Sequence, residues 1–292
     1  MRHFSQFILA AAVLAMTSSP SWAKIDVVAS FSILGDMVEQ VAGDKATVTT
    51  IVGPDADAHL YEPNAGDAVA VAKADLIITN GMGFETWSAK LIDTSGTKAA
   101  IAVATAGVDP LLVDGEIDPH AWNALTNGII YVNNIEAALA AVSPADAPVF
   151  KQNADAYRAK LLALHNRALR DIAKLPEEKR IVVTAHDAFG YLASAYGLTF
   201  LAPQGIDTDA EPSAKELAAL IRFLNETGAG ALFVENIANS ELIAQISRET
   251  GIEIGGRIYS DALSVKGSPA TSYLAMFTHN LELLTKTLAA AQ

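Results

Sequence analysis

Segments with strand and helix character alternate along this chain in two blocks, and this alternation constrains the fold more than any other feature. In the first block, short apolar runs predict strands at 25–29, 46–52, 75–79 and 99–103. Between them, apolar residues recur three and four positions apart, which predicts helices at 33–43, 67–73 and 85–92. We find no β-hairpin signal here. The pattern therefore predicts a parallel sheet covered by helices on both faces.

The second block begins near Arg180 and repeats the pattern. Its strands are predicted at 181–184, 198–201, 231–234 and 252–254, and its helices at 189–196, 213–226, 240–249 and 268–290. Ser213 and Glu216 have the spacing of a capping box, which marks the start of a helix. The fold class predicted for the whole chain is α/β, with two Rossmann-like lobes.

One long helix is predicted to join the two lobes. Between positions 144 and 175, apolar residues recur at helical spacing: Val149, Tyr157, Leu161, Leu164, Ala168 and Ile172. A helical connection is stiffer than a Gly/Ser linker, so we expect a modest tilt of the lobes and no large hinge closure. We divide the chain into a leader (1–23), a first lobe (24–143), a linker helix (144–176) and a second lobe (177–292).

The leader has the features of a secretory signal peptide. Met1-Arg2-His3 is a basic start, residues 7–16 are an apolar run of ten, and Ser21-Trp22-Ala23 places small residues where signal peptidase recognises them. The apolar run is too short to span a membrane. We expect cleavage before Lys24 and a periplasmic location. Because the chain has no Cys, we expect neither disulfides nor a lipid anchor.

The overall composition excludes several classes of function. The chain has 51% apolar and 18% charged residues, which is typical of globular proteins and not of disordered ones. Its formal net charge of −13 argues against nucleic acids and anionic membranes as partners, since both bind basic surfaces. An acidic surface favours arriving cations only weakly, because salt screens charges beyond ~10 Å.

Four polar residues lie in loops or just after predicted strands: His59, His120, His186 and Asp261. They are 61, 66 and 75 residues apart, and no short metal-binding motif joins them. In open parallel sheets, ligands bind beyond the carboxyl ends of the strands, so two residues from each lobe would meet in the cleft. Three imidazoles and a carboxylate suit Zn²⁺, and a bidentate Asp suits a metal that needs more oxygen. We therefore predict a metal site between the lobes.

Each of these residues also has a simpler explanation. A single His is more often a surface or core residue, and we expect a structural role for His165 and His279, which lie within predicted helices. Asp261 could be a helix cap or a turn residue. Glu235, at the end of a predicted strand, is the rival carboxylate, and it either orients a ligand imidazole or is only a charge at the strand end.

Five segments of the chain resemble the zinc and manganese solute-binding proteins of ABC transporters, the cluster A-I metal receptors. They are residues 30–36 (SFSILGD), 59–63 (HLYEP), 118–122 (DPHAW), 186–191 (HDAFGY) and 255–263 (GGRIYSDAL). The resemblance covers nearly all of the mature chain. It implies two four-stranded α/β lobes bridged by one long helix and His59, His120, His186 and Asp261 as metal ligands in the cleft. It also implies a membrane permease as partner, and we expect a monomer.

The chemistry of the site favours Zn²⁺ as the cargo. Zn²⁺ binds imidazole well in a four-ligand shell, whereas Mn²⁺ binds such sites more weakly and prefers more oxygen ligands. In the manganese and iron members of the family that this chain resembles, the third ligand is often Glu, whereas this chain has His186. However, the long His-rich loop of many zinc members is absent, and residues 205–212 and 259–261 resemble the manganese branch. We predict Zn²⁺, with Mn²⁺ or Fe²⁺ as the alternative.

Other functional classes have weaker support. A hydrolytic metalloenzyme needs an open coordination position and a general base, but the chain has no HExxH motif. Gly81-Met82-Gly83 is similar to part of a dinucleotide-binding fingerprint, but Thr86 occupies the third glycine position and no P-loop or GxSxG motif occurs. We predict no enzymatic activity. A receptor for an organic solute is the closer rival, and it would have an aromatic or Arg-lined cleft.

Overall fold

Two parallel four-stranded sheets and one long helix form the framework of the protein. A computed structural model describes residues 24–227 and 230–290, so the predicted signal peptide lies outside the described residues. The α/β fold class and its parallel sheets are confirmed. Within the described part of the chain, no helix combines the length and the apolar character required to cross a membrane.

The first sheet has the strand order β2-β1-β3-β4, and all its strands run parallel. β1 is central, and its last five residues are all buried. A strand covered by helices on both faces is apolar at most positions, which explains the apolar run Val27-Val28-Ala29. The elements are β1 (Ile25–Phe31), α1 (Ser32–Ala42), β2 (Ala46–Val52), α2 (Ala65–Lys73), β3 (Leu76–Thr79), α3 (Ser88–Ser95) and β4 (Ala100–Val103).

A short antiparallel hairpin follows β4 and was not predicted from the sequence. It pairs β5 (Leu112–Val113) with β6 (Glu116–Ile117). Asp114 and Gly115 form the turn with φ values of 52° and 92°. Two consecutive residues with positive φ are the conformation that Asp-Gly favours in two-residue hairpins. The hairpin lies beyond the strands and helices predicted for residues 25–103, in a stretch for which no strand was predicted.

Helix α4 (Leu125–Val142) is the second element that the sequence reasoning did not predict. It packs against α1 on one side and against the long helix on another. Because neighbours cover several sides of α4, its apolar residues do not form one stripe, and the helical period is weak. A helix buried on more than one side is difficult to recognise by periodicity alone.

The predicted linker helix is present as α5 (Ala147–Ile172), which follows a short turn at Pro144–Asp146. Its 26 residues span ~39 Å at ~1.5 Å per residue. α5 contacts α1 and α4 of the first lobe and two helices of the second lobe, which are α6 (Gly190–Tyr196) and α9 (Tyr273–Ala290). One apolar stripe of α5 therefore packs against both lobes.

The second sheet has the order β10-β9-β7-β8 and repeats the connections of the first sheet. The capping box is confirmed, because Glu216 N–H donates to Ser213 Oγ at 3.2 Å and Ser213 N–H donates to Glu216 Oε2 at 3.0 Å. The remaining elements are β7 (Ile181–Val183), β8 (Thr199–Leu201), α7 (Ala214–Thr227), β9 (Ala231–Glu235), α8 (Ser240–Thr250) and β10 (Ile254–Ile258).

The position of β10 differs from the prediction of a strand at 252–254. The strand continues through Gly255 and Gly256, with an irregular register between Ile254 and Gly256. Glycine is a poor strand former, so the sequence gives little strand signal here. A Cβ at Gly255 would lie 2.6 Å from Thr287 Cγ2 of α9. The glycine is required because α9 packs closely against the strand.

A single large apolar core extends through both lobes. Phe31 of the first lobe, Leu161 of α5, and Phe189 and Tyr273 of the second lobe belong to the same buried cluster. A smaller cluster lies under α7 and α8 and contains Val183, Ala185, Ile221, Leu224, Leu232, Ile243 and Ile246. The shared core supports the expectation of a modest tilt between lobes, and the lobe boundaries remain a prediction.

The shared core predicts that a cavity in α5 destabilises both lobes together. Leu161 is fully buried, whereas the adjacent Leu162 is 49% exposed. Leu161→Ala should lower the free energy of unfolding by about 2–5 kcal/mol, because it removes buried methyl groups and leaves a cavity. Leu162→Ala is the matched control and should change it by less than ~0.5 kcal/mol. Urea unfolding of the metal-free protein measures both, and two separate transitions for the lobes would contradict a shared core.

Candidate metal centre

Four side chains from four distant segments meet beyond the carboxyl ends of the strands. His59 follows β2, His120 precedes a short helical turn at residues 121–123, His186 follows β7 and Asp261 follows β10. One ligand atom from each lies within 4.8 Å of all the others. The structure therefore brings together all four residues that the sequence reasoning selected.

The separations between these atoms fit a small cation shell. His59 Nε2 lies 3.2 Å from His120 Nε2 and 3.4 Å from Asp261 Oδ2. Asp261 Oδ2 lies 3.6 Å from His120 Nε2 and 3.1 Å from His186 Nε2. Tetrahedral zinc, with bonds of ~2.0–2.1 Å, holds its ligand atoms ~3.3–3.4 Å apart. These four of the six separations lie on both sides of this value, and the remaining two pairs of ligand atoms lie within 4.8 Å.

The site is almost closed to solvent. His120, His186 and Asp261 are at most 1% exposed, and the His59 side chain is 3% exposed. Phe84 packs its ring edge against His59 and against Trp122, with centroid distances of 4.8 Å in both pairs. Such an apolar wall excludes water, so charges in the site interact more strongly than they would at the surface.

A carboxylate lies behind each of the three imidazoles. Asp118 Oδ1 is 2.8 Å from His120 Nδ1, and Asp207 Oδ1 is 3.1 Å from His59 Nδ1. Glu235 Oε2 is 2.7 Å from His186 Nδ1, a close charge contact that lies off the N–H axis. Because an ionised carboxylate can only accept, each of these carboxylates favours a proton on the neighbouring Nδ1, and in the neutral imidazole this leaves the lone pair on Nε2, which faces the centre. This is the tautomer of metal-binding histidines.

Sequence reasoning assigned no role to Asp118 or Asp207. Asp118 Oδ1 also accepts from the His120 N–H at 2.9 Å, so this Asp stabilises the turn that presents the ring. The Asp-Pro-His spacing is a local signal that could have identified it. Asp207 contacts His59 across the cleft, and no local pattern predicts such a pair. Glu235, the rival carboxylate, accepts from the His186 N–H at 3.1 Å as well as contacting its ring.

The two remaining histidines of the described chain lie outside the site. His165 Nδ1 is 3.0 Å from Tyr196 Oη, and His279 Nε2 is 2.9 Å from the carbonyl oxygen of Arg257. Both have structural partners within or next to their helices. This agrees with the structural roles expected from their positions in the sequence.

Hydrogen bonds fasten the His120 turn to the second lobe. Trp122 Nε1 donates to the Ser260 carbonyl at 2.8 Å, next to Asp261. Asn123 Nδ2 donates to the Ala188 carbonyl at 2.9 Å, two residues after His186. All these groups are buried. Three of the four candidate ligands are therefore held on one hydrogen-bonded platform.

The second carboxylate oxygen of Asp261 has an unusual environment. Asp261 Oδ1 is buried and has no hydrogen-bond partner within residues 24–227 and 230–290. Leaving a buried acceptor unpaired costs about 1–3 kcal/mol. A cation bound through both carboxylate oxygens would compensate this loss. The donor set thus fits a metal with four or five protein ligand atoms.

The electrostatics of the site favour positive charge. Four carboxylates, from Asp118, Asp207, Glu235 and Asp261, surround three imidazoles. Burial lowers the pKa of His59, but Asp207 and Asp261 outweigh it and raise that pKa to about 9. For Asp261, burial raises the pKa, yet His120 and His186 hold it well below its usual value. Without a metal, protons supply the positive charge that the carboxylates require.

Comparison with known proteins gives extensive matches. The family model described as "ZnuA: Zinc-uptake complex component A periplasmic" matches residues 27–287. The iron-binding protein YfeA of Yersinia pestis is 33% identical over 288 residues, which cover 97% of this chain and 92% of YfeA. The manganese-binding lipoprotein MntA of Halalkalibacterium halodurans is 32% identical over 259 residues, covering 88% of this chain and 86% of MntA.

A solved structure supports the same relationship. The periplasmic zinc-binding protein TroA from Treponema pallidum superposes with a TM-score of 0.87 and is 29% identical. The match covers 91% of this chain and 99% of TroA. The arrangement of two lobes around a cleft is therefore shared along almost the whole described chain.

The raised pKa of His59 predicts the direction of pH effects. The stabilisation that protonated His59 gives to the metal-free protein should be complete below pH ~6.5, the usual pKa of His. It should be lost as the pH rises through about 9. Metal binding should follow the opposite trend, because the ion must displace these protons. Between about pH 6 and 8.5, affinity for Zn²⁺ should rise up to ~tenfold per pH unit for each proton displaced. Calorimetry in buffers of different ionisation enthalpy counts the protons, and a pH-independent affinity would contradict this account.

Proposed function

This chain belongs to the zinc-uptake complex component A family, whose members are substrate-binding proteins of metal ABC transporters and not enzymes, and we propose that it delivers a divalent metal ion to a membrane permease. The resemblance noted in the sequence and the prediction of no enzymatic activity are thus confirmed. One observation carries the proposal. Three imidazole nitrogens and one carboxylate oxygen, drawn from both lobes, converge on a single enclosed point.

We propose His59, His120 and His186 as ligands through Nε2 and Asp261 as a ligand through Oδ2. The supporting evidence is the burial of all four side chains and the carboxylate beside each imidazole Nδ1, which favours the tautomer that binds a metal through Nε2. Ligand atoms within 4.8 Å of one another leave room for one ion between them. The site is therefore too small for an organic solute, which argues against that alternative.

We propose Zn²⁺ as the ion bound most tightly. Three imidazoles with one carboxylate are typical zinc ligands, and four of the six donor separations, at 3.1–3.6 Å, are close to those of a tetrahedral zinc shell. The names of the relatives do not decide the metal, since they refer to iron, manganese and zinc. The second candidate is Mn²⁺ or Fe²⁺, which the unpaired Asp261 Oδ1 favours because it offers a fifth, harder donor.

We propose that the protein acts outside the cytoplasmic membrane. The descriptions of TroA as periplasmic and of MntA as a lipoprotein support this proposal. For this chain, we propose cleavage of the leader at residues 1–23 and a monomeric receptor in the periplasm. The lobes would comprise residues 24–143 and 177–292, with residues 144–176 between them.

Removing any one proposed ligand should weaken metal binding severely. His59→Ala, His120→Ala, His186→Ala and Asp261→Ala should each reduce Zn²⁺ affinity by more than the ~10–100-fold expected for a supporting residue. His165→Ala is the matched control, because it removes an imidazole outside the site. Competition with a chelating dye measures the affinities, and circular dichroism verifies the metal-free fold. Wild-type affinity in two or more of the four variants would reject the assignment.

Exchanging one imidazole for a carboxylate should change the metal preference. In His186→Glu, a hard oxygen replaces a nitrogen, which should shift the ratio of Mn²⁺ to Zn²⁺ affinity toward manganese. Zn²⁺ should remain the tighter ligand, because one donor does not overturn the usual order of affinities.

Glu235 lies 2.7 Å from the ring of His186, so in His186→Glu two carboxylates would repel each other. The double variant His186→Glu/Glu235→Gln removes the repulsion between two carboxylates, and Glu235→Gln alone is its control. Competition titrations compare the variants in one buffer. A ratio that stays constant or moves toward zinc would contradict the role of His186 in selectivity.

A further inference from the structure

His59 differs from the other two imidazoles in the carboxylate that supports it. The carboxylates of Asp118, behind His120, and of Glu235, behind His186, are completely buried and come from the same lobe as their ring. Asp207, behind His59, has a side chain that is 53% exposed and comes from the opposite lobe. The support of His59 therefore crosses the cleft and reaches solvent.

The loop at residues 203–212, here called the Asp207 loop, contacts the His59 segment at two points. Asp207 Oδ1 lies 3.1 Å from His59 Nδ1. Thr208 Oγ1 donates to Asp57 Oδ2 at 2.6 Å, and Asp57 Oδ1 accepts from the His59 N–H at 2.8 Å. The loop thus holds both the ring and, through Asp57, the backbone of His59.

The first residues of the Asp207 loop are bonded to the His186 segment. Gln204 forms a parallel β-bridge with His186, and its N–H donates to the Ala185 carbonyl at 3.2 Å. The Gln204 side-chain amide donates to the carbonyls of Thr208 and Ala210 at 2.9 Å each. A continuous series of contacts therefore connects His186 in one lobe to His59 in the other.

An open cavity lies beside the Asp207 loop. It has a volume of about 460 Å³, and its lining includes Asp57, Gln204, Thr208 and residues of α8. The loop therefore has space on one side and the metal site on the other. Water and salt weaken an ion pair that reaches solvent, so the contact between His59 and the half-exposed Asp207 should break before the two fully buried pairs do.

We infer that Asp207 is a positioning residue that controls how long the ion stays bound. From across the cleft, it holds the His59 ring with Nε2 toward the ion, and its separation from the ring is the step that allows His59 to turn away. The other three ligands lie on the buried platform and stay in place. This inference rests on the proposed function, since it requires His59 to be a metal ligand.

The test measures release of Zn²⁺ after rapid mixing of the loaded protein with an excess of a chelating dye. Asp207→Ala should release Zn²⁺ about 10–100-fold faster than wild type, which is the range for loss of a residue that orients a ligand. Asp207→Asn should release it at an intermediate rate, because the amide oxygen still accepts from Nδ1–H but carries no charge. Asp209→Ala is the matched control, since Asp209 is an exposed acid in the same loop, and it should keep the wild-type rate.

A spectroscopic measurement separates positioning from a general effect on the loop. In protein loaded with Co²⁺, the visible absorption bands report the arrangement of ligands around the ion. Asp207→Ala should shift these bands, Asp207→Glu should partly restore them, and Asp209→Ala should leave them unchanged. Unchanged bands in Asp207→Ala would overturn the inference.

The rates of Zn²⁺ release and the affinity of His59→Ala show whether a failed prediction concerns the role of Asp207 or the metal site itself. A wild-type release rate in Asp207→Ala, together with lost binding in His59→Ala, would overturn the inference and leave the proposed site intact. Equal acceleration in Asp207→Ala and Asp209→Ala would also overturn it, because the effect would then come from the charge of the loop. Wild-type affinity in His59→Ala would instead overturn the proposed function itself.

Discussion

The buried carboxylate of Asp261 is the group on which the site depends. Its Oδ2 lies 3.1–3.6 Å from the Nε2 atoms of three histidines, and its side chain is completely enclosed. A buried charge is unfavourable unless other charges compensate it. Here the compensating imidazoles come from both lobes. Neutralising the Asp261 carboxylate therefore requires side chains from four distant loops to lie close together. The same requirement for positive charge next to the carboxylate makes the site suited to a cation.

Around this group, the protein combines a buried platform of three candidate ligands with a fourth, His59, that is supported from the opposite lobe. Hydrogen bonds from Trp122 and Asn123 fasten the His120 turn to the segments that carry Asp261 and His186, and the shared core along α5 supports them. His59 is held from across the cleft by an exposed residue. A receptor must bind its ion tightly and still release it to a permease, and this asymmetry serves both requirements.

Local sequence patterns predicted the elements that have a continuous apolar run or a single apolar stripe. They failed where contacts with other elements decide which residues are apolar or small. β1 and the stripe of α5 were recognisable, whereas α4 is covered on several sides and β10 contains glycines that α9 requires. The four candidate ligands could be selected because ligand-type residues follow strands and because their segments resemble a known family. Asp207 could not be selected from the sequence, because only the fold brings it into contact with His59. The metal remains a proposal because an N₃O shell fits zinc while the related proteins are named for three metals.

X-ray absorption spectroscopy at the zinc edge tests the central claim most directly, because it counts the atoms bound to the ion in solution. Protein loaded with one equivalent of Zn²⁺ should show nitrogen and oxygen neighbours at ~2.0–2.1 Å, with outer-shell scattering from three imidazole rings and a total of four or five neighbours. A six-atom shell, or scattering from fewer than three imidazoles, would contradict the convergence of His59, His120, His186 and Asp261 on one ion.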